Sequence, residues 1–348
     1  MFRRKYYLSS FSYSIVIILC LFLTACNSAT PTSAGRSVQT TSALSISPLS
    51  KGQQSLKLFV EPDAGESIIL DAINTAHRSI WLEMYLLTDT SIIQALENAA
   101  HHKLDVRVML EPTPYGGGSA QDVLDELKMA GITVKATSPS FTLTHEKGMV
   151  IDGNTAFIMS CNFTYSALNG TNREYGVIDT LAQDVQSVTD IFNADWNRTP
   201  PHITNSSLVV SPTNSRTALT TLMSGAKKTL ILEEEEMLDE SMQQALVSAT
   251  HRGVSVQVIL PTPYTGESDN NLGGIAILKA GGVQVKEDSA LYIHAKMIVA
   301  DGAQAFVGSE NISAPSLDGN RELGILLFDK GIVTTLQGTF QQDWRVSR

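Results

Sequence analysis

His145-Glu146-Lys147 is followed by Asp152 and then by Ser160-Cys161-Asn162; His294-Ala295-Lys296 is followed by Asp301 and then by Ser309-Glu310-Asn311. In both runs Lys follows His by two positions, Asp by seven, Ser by fifteen and Asn by seventeen, and the copies lie 149 positions apart. An imidazole can attack an electrophile or move a proton. A lysine two residues on sets a fixed cation beside it. A lone His-x-Lys carries no signal. Five residue types repeated in one register point to one active site assembled from two related halves.

The elements that must position these groups follow from local patterning. Asp152-Gly153 and Asp301-Gly302 sit between apolar runs, a strong hairpin signal. The spacing predicts a strand over His145–Ile151 and a return strand over Ala156–Ser160. Strand period then sends His and Lys at i and i+2 to one face. Asp152 and Asp301 read as turn residues.

The duplication extends beyond the motifs. Ser79–Glu83 parallels Thr229–Glu233, Val106–Leu110 parallels Val256–Leu260, and Pro112-Thr113-Pro114-Tyr115 recurs as Pro261-Thr262-Pro263-Tyr264. Asn172-Arg173-Glu174 recurs as Asn320-Arg321-Glu322, and Asp195-Trp196 as Asp343-Trp344. Helical spacing appears at Ile92, Ile93, Leu96 and Ala100 and at Val123, Leu124, Leu127 and Met129. Gly131 and Gly281-Gly282 end helices. Each half reads strand, helix, strand, helix, strand, motif hairpin, which predicts an α/β fold of two α/β/α sandwich halves related by a pseudo-two-fold, with the active site at their interface. Thr199-Pro200-Pro201 divides residues 51–200 from 201–348.

This pattern resembles the phospholipase D superfamily, whose signature His-x-Lys-x4-Asp-x6-Gly-Ser-x-Asn occurs in duplicate. The second copy matches throughout, including Gly308; the first carries Met159 at the glycine position. The resemblance covers residue 56 to the end. It implies two-step phosphodiester cleavage through a phosphohistidine, with His145 and His294 as nucleophile and acid, His145 being the preferred nucleophile. Lys147, Lys296, Asn162 and Asn311 would hold the phosphoryl oxygens, and Glu174 and Glu322, 29 and 28 residues after the histidines, would orient the imidazoles. Asp152, Ser160, Asp301 and Ser309 take supporting places. No cofactor and no metal is expected, since two lysines and two asparagines supply the charge and donors.

Other motifs read more blandly. The run Glu233–Glu236 reads as a solvated edge or a strand end, Arg173 and Arg321 as partners of carboxylates, and Cys161 as a packed thiol. The segments Pro114–Gly118 and Pro263–Gly266 read equally well as plain turns or substrate flaps, with Tyr115 and Tyr264 as pocket walls.

Arg3, Arg4 and Lys5 precede an apolar stretch from Ile15 to Leu23, too short to span a bilayer comfortably. Leu23-Thr24-Ala25-Cys26 resembles a bacterial lipobox, which predicts a lipoprotein signal peptide over 1–25, acylated at Cys26. Residues 26–50 are rich in Ser, Thr, Ala and Pro and read as a disordered tether. Only Cys161 of the three cysteines then lies in the folded part, so it has no intrachain disulfide partner there. Net charge is −10; losing Arg3, Arg4 and Lys5 leaves 22 basic against 35 acidic residues. Such a chain has no long-range attraction for nucleic acid. The expectation is an exported, lipid-anchored monomer on the outer face of a bacterial membrane or in the periplasm. It would work on phospholipid at a membrane surface, as a phospholipase D-type hydrolase releasing phosphatidic acid and a head-group alcohol. The alternatives are an exported endonuclease, a cardiolipin synthase-like phosphatidyltransferase, and a non-catalytic lipid- or partner-binding protein.

Overall fold

The computed structural model describes residues 55–115, 119–264, 266 and 268–348. The expected signal peptide, Cys26 and tether lie outside the described residues, as do Gly116–Gly118 and Thr265 of the two Gly-rich segments.

The first half runs β1 (Leu56–Glu61), α1 (Ser67–Asn74), β2 (Ser79–Met84), α2 (Thr90–His101), β3 (Asp105–Leu110), α3 (Gln121–Met129) and β4 (Thr133–Ala136). The motif hairpin β5 (Lys147–Ile151) and β6 (Thr155–Met159) comes next, then α4 (Tyr165–Leu168), β7 (Asn172–Asp179) and α5 (Ala182–Asn197). The second half repeats the order: β8 (Leu208–Ser211), α6 (Ser215–Gly225), β9 (Thr229–Glu234), α7 (Glu240–His251), β10 (Ser255–Pro261), α8 (Leu272–Ala280) and β11 (Gln284–Asp288). A short β12 (Tyr292–Ile293) precedes the hairpin β13 (Lys296–Ala300) and β14 (Gln304–Gly308), α9 (Ala314–Asp318), β15 (Glu322–Leu327) and α10 (Lys330–Val346).

Each half builds one mixed sheet with one strand order: β1-β7-β6-β5-β2-β3-β4 in the first and β8-β15-β14-β13-β9-β10-β11 in the second. The βαβ crossovers leave β2, β3 and β4 parallel, while the motif hairpin joins antiparallel to β2. Two similar halves related by a pseudo-two-fold are therefore present. Residues 199–201 fall between α5 and β8.

Alternating burial explains the layers. One face of the first sheet packs Ile80, Leu82, Val106 and Val108 with Ile92, Leu96 and Leu124 from the outer helices. Truncating one such side chain to Ala costs about 2–5 kcal/mol. Leu219, Leu246 and Leu278 do the same for the second sheet. A third core is shared: Val150, Ile158 and Val177 meet Met297, Val307 and Ile325, flanked by Val188 of α5 and Phe340 of α10. Asp89, Asp239 and Asp329 cap α2, α7 and α10 by accepting backbone N–H groups.

Two details differ from expectation. Met129 is 85% exposed, because it lies more than a third of a turn from Leu124 and nearly opposite Leu127. The motif histidines stand just before their strands, which begin at Lys147 and Lys296.

Candidate active site

The turns fix the hairpins. Asp152 and Asp301 both take positive φ, at 54° and 55°. The Asp152 carboxylate accepts from the backbone N–H of His77, Arg78 and Ser79, and Asp301 accepts from Lys227, Lys228 and Thr229. These hydrogen bonds tie each hairpin tip to the start of the central strand beside it. Both aspartates are remote from the histidines and hold the scaffold.

Each histidine is reached from the opposite half. His145 N–H donates 2.8 Å to the carbonyl of Arg321, and His294 N–H 3.2 Å to that of Arg173. Tyr292–Ile293 runs parallel to Asn172–Arg173, and Thr144 bridges Arg321. The glutamate one residue further along then meets the imidazole. His145 Nδ1 lies 2.9 Å from Glu322 Oε2, and His294 Nδ1 lies 2.8 Å from Glu174 Oε1. Each glutamate therefore orients the histidine of the other half, not the one that precedes it in its own half. Both carboxylates are fully buried. Burial alone would raise them, but the facing imidazoles and lysines hold them below the usual carboxylate range.

Further hydrogen bonds fix those carboxylates. Ser160 Oγ donates to Glu174 at 2.6 Å and Asn172 at 3.3 Å. Ser316 and Asn320 serve Glu322 at 2.6 and 3.2 Å. Ser309 Oγ accepts from Leu323 N–H as Ser160 Oγ does from Tyr175 N–H, and the Ser309 carbonyl lies 3.2 Å from His145 Nδ1. Ser316 had not been singled out by the motif. Arg173 and Arg321 also reach across, to Asp343 and Asp195 of the repeated Asp-Trp pairs.

The catalytic-type groups of both halves line one cavity of about 600 Å³. His145, His294, Asn162 and Asn311 meet there with Tyr85, Glu235 and an apolar collar of Leu86, Leu143, Leu238 and Pro315. The two lysines lie buried beneath it. Lys147 Nζ donates 2.6 Å to the His145 carbonyl and Lys296 Nζ 2.7 Å to that of His294. Their electrostatics differ. Burial brings the Lys147 ammonium down to about 7 against the pull of Glu322. Burial would lower Lys296 too, but Glu235 and Glu174 raise it above the ordinary value. Burial, with Lys147 and Lys296 nearby, lowers His145 despite the pull of Glu322.

The run Glu233–Glu236 does lie at a strand end, since β9 closes at Glu234, but it is not a solvated edge. Glu233 and Glu234 are fully buried, because β9 is a central strand. Glu233 accepts from Tyr175 Oη at 2.7 Å. Glu235 lies in the site, with Oε2 2.7 Å from Lys296 Nζ, and had been missed. Repetition held the signal that could have found it: aligning the halves puts Glu235 opposite Tyr85, next to the motif strand. In the first half Glu83, Glu146 and Asp195 bring carboxylate oxygens within 4.8 Å of one another beneath the sheet. Burial raises Glu83 well above the usual carboxylate range and Glu146 to about 8, and Arg321 pairs with Asp195.

Met159 is accommodated by exchange with a neighbour. A side chain at Gly308 would meet Glu310 Oε2 at 2.5 Å and Gly324 Cα at 2.6 Å. Cys161 replaces Glu310 in the first half, and Met159 fills the space in an apolar core. Burial raises the Cys161 thiol well above its ordinary value.

The twin mixed sheets, each bringing a His and an Asn to one cavity with a Lys beneath, define a phospholipase D-superfamily protein. The chain belongs to the family described as "Cardiolipin synthase, PLD-like domain", which matches residues 69–196 and 219–344. It is 23% identical over 329 residues to a cardiolipin synthase of Oceanobacillus iheyensis, covering 82% of this chain and 68% of that one. It is 25% identical to the major cardiolipin synthase ClsA of Bacillus subtilis, over 80% of this chain and 67% of that protein. Among solved structures, phosphatidylserine synthase of Haemophilus influenzae superposes with a TM-score of 0.62 at 13% identity, over 84% and 87% of the two chains. Polyphosphate kinase of Porphyromonas gingivalis superposes at 0.64 and 18% identity, over 82% of this chain and 50% of that one. These two likenesses establish the fold. The expectation of a hydrolase that releases phosphatidic acid is corrected by the relatives and the family description, which carry the name of a synthase.

Proposed function

We propose that the protein is a phosphatidyltransferase of the cardiolipin synthase type. The observation that carries this reading is the single cavity in which histidines of both halves meet, each held by the other half's glutamate. The membership of the cardiolipin synthase family supports the choice of acceptor.

His145 attacks the phosphorus of a phosphatidyl donor. His294 gives its proton to the departing head-group oxygen, and the phosphatidyl group remains bonded to His145. The hydroxyl of a second lipid's glycerol head group then loses its proton to His294 and attacks phosphorus, which frees His145. Lys147, Lys296, Asn162 and Asn311 stabilise the phosphoryl oxygens as charge develops. Glu174 and Glu322 keep the rings oriented. The apolar collar suits acyl-bearing substrates and helps an acceptor alcohol compete with water.

Residues 1–25 would act as an export signal, with acylated Cys26 anchoring a monomer through 26–50 to the outer face of a membrane. No helix among the described residues is long and apolar enough to cross a membrane. The test is incubation of the purified protein with phosphatidylglycerol vesicles. Cardiolipin and glycerol should appear in equal amounts, and a phosphatidyl adduct should be trapped on His145. Absence of cardiolipin while the adduct reacts only with water would defeat the proposal.

A further inference from the structure

The two halves of the cavity differ at one aligned position. β2 and β9 end at Met84 and Glu234, and the next residues are Tyr85 and Glu235. Tyr85 turns its ring edge-on to His145, with centroids 4.7 Å apart, and the Lys147 ammonium lies 5.1 Å from the Tyr85 ring. Among the described residues no carboxylate lies within salt-bridge distance of Lys147. Glu235 offers its half a charge instead. Its Oε2 lies 2.7 Å from Lys296 Nζ, 3.3 Å from Asn311 Nδ2 and 3.5 Å from His294 Nε2. These are the three groups assigned above to the phosphoryl oxygens and the mobile proton on that side. One carboxylate oxygen is thus held where a phosphoryl oxygen would be held.

We propose that Glu235 is a specificity-determining residue: its carboxylate occupies the second half's oxyanion seat, and substrate phosphate enters by displacing it. The proposal rests on the phosphoryl-transfer reading. Glu235 also lines a neighbouring cavity of about 650 Å³, with Tyr115, Glu236, Asn271 and Tyr292, into which the displaced side chain can turn. The carboxylate then stays tethered close to the bound anion, and its repulsion scales with that anion's charge. A phosphodiester carries one negative charge. A phosphomonoester carries about 1.5–2 and inorganic phosphate about 1.5 at neutral pH, so both are repelled more strongly. The site therefore favours phosphodiesters, and free phosphate and terminal phosphomonoesters do not clog it.

The experiment compares full-length wild type, Glu235→Gln and Glu235→Asp by calorimetric titration with inorganic phosphate and with dimethyl phosphate, a monoanionic diester. Glu235→Gln should tighten inorganic phosphate by about five- to tenfold and dimethyl phosphate by only about threefold. Glu235→Asp, which keeps the charge on a shorter arm, should change both less, and it serves as the folded control if the Gln variant melts early. Unchanged phosphate affinity in Glu235→Gln, or an equal gain for both ligands, overturns the proposal. So does loss of turnover without a gain in anion affinity, since Glu235 would then be a proton acceptor. The titration needs no turnover, so wild type that makes no cardiolipin alongside the predicted affinity shifts would remove the transferase reading alone.

Discussion

Glu322→Gln removes one negative charge beside His145 and keeps the side chain's volume. The carboxylate is fully buried and lies 2.9 Å from His145 Nδ1, so solvent cannot replace it. A buried hydrogen bond between charged partners contributes about 1.5–3 kcal/mol. Phosphorylation of His145 puts positive charge on that ring, so losing the carboxylate should slow adduct formation roughly ten- to hundredfold. The pH profile adds a sharper signature. Burial lowers the His145 value and Glu322 opposes the shift. Removing Glu322 lowers it further, so the acid limb of the rate should move to lower pH while the plateau falls. A purely structural lesion would lower the plateau and leave the limb in place. The assay is adduct formation against pH, with ¹⁵N spectra of the imidazoles as a second readout. Glu322→Gln should move the His145 ring signals, and Glu174→Gln those of His294. If each variant instead disturbs the histidine of its own half, the crossed pairing is wrong.

Lys147 titrates near 7 and must be charged to stabilise the phosphoryl oxygens, so kcat/KM should fall as pH passes from 7 to 9; a kcat/KM flat across that range would refute this. Asp152→Ala and Asp301→Ala should each lower stability by about 1–2 kcal/mol in urea titrations, after allowance for solvent at these exposed turns, and leave kcat within about twofold. Four buried carboxyls bind protons more tightly folded than unfolded: Glu61 and Asp179 to about 7, Glu146 and Glu233 to about 8. Their stabilisation is complete below the ordinary carboxylate range and is lost as pH rises through 7 and 8, so Tm should fall by several degrees from pH 5 to pH 8. Lys147 acts with the opposite sign, between about 7 and its ordinary 10.5. Calorimetry across that range would show a rising Tm if the assignment were wrong.

The hairpins, their Asp-Gly turns and the alternation of strand and helix are local signals, written in periods of two and in turn chemistry, so they could be read directly. The pairing of Glu322 with His145 could not. Spacings of 28 and 29 residues say that a glutamate follows each histidine, but only the docking of Thr144 against Arg321, and of β12 against β7, decides which ring each meets. Glu235 was hidden by composition: four consecutive glutamates suggest solvent, and nothing local reveals that β9 is enclosed on both sides. Met159 departs from the motif glycine, and the apolar core it enters goes with the change from Glu310 to Cys161 two residues further on.

Because each half supplies the carboxylate for the other's imidazole, neither half could orient its own histidine if the two were separated. Two identical copies docked face to face would have the same reciprocity, but every position would then be the same on both sides. Joining the copies in one chain lifts that constraint. Tyr85 and Glu235 can differ, as can Lys147 and Lys296 in their affinity for a proton, while the reciprocal scaffold that aligns them stays unchanged. Covalent continuity thus lets a symmetric frame hold two sides of different electrostatic character, which the directional transfer proposed above would use.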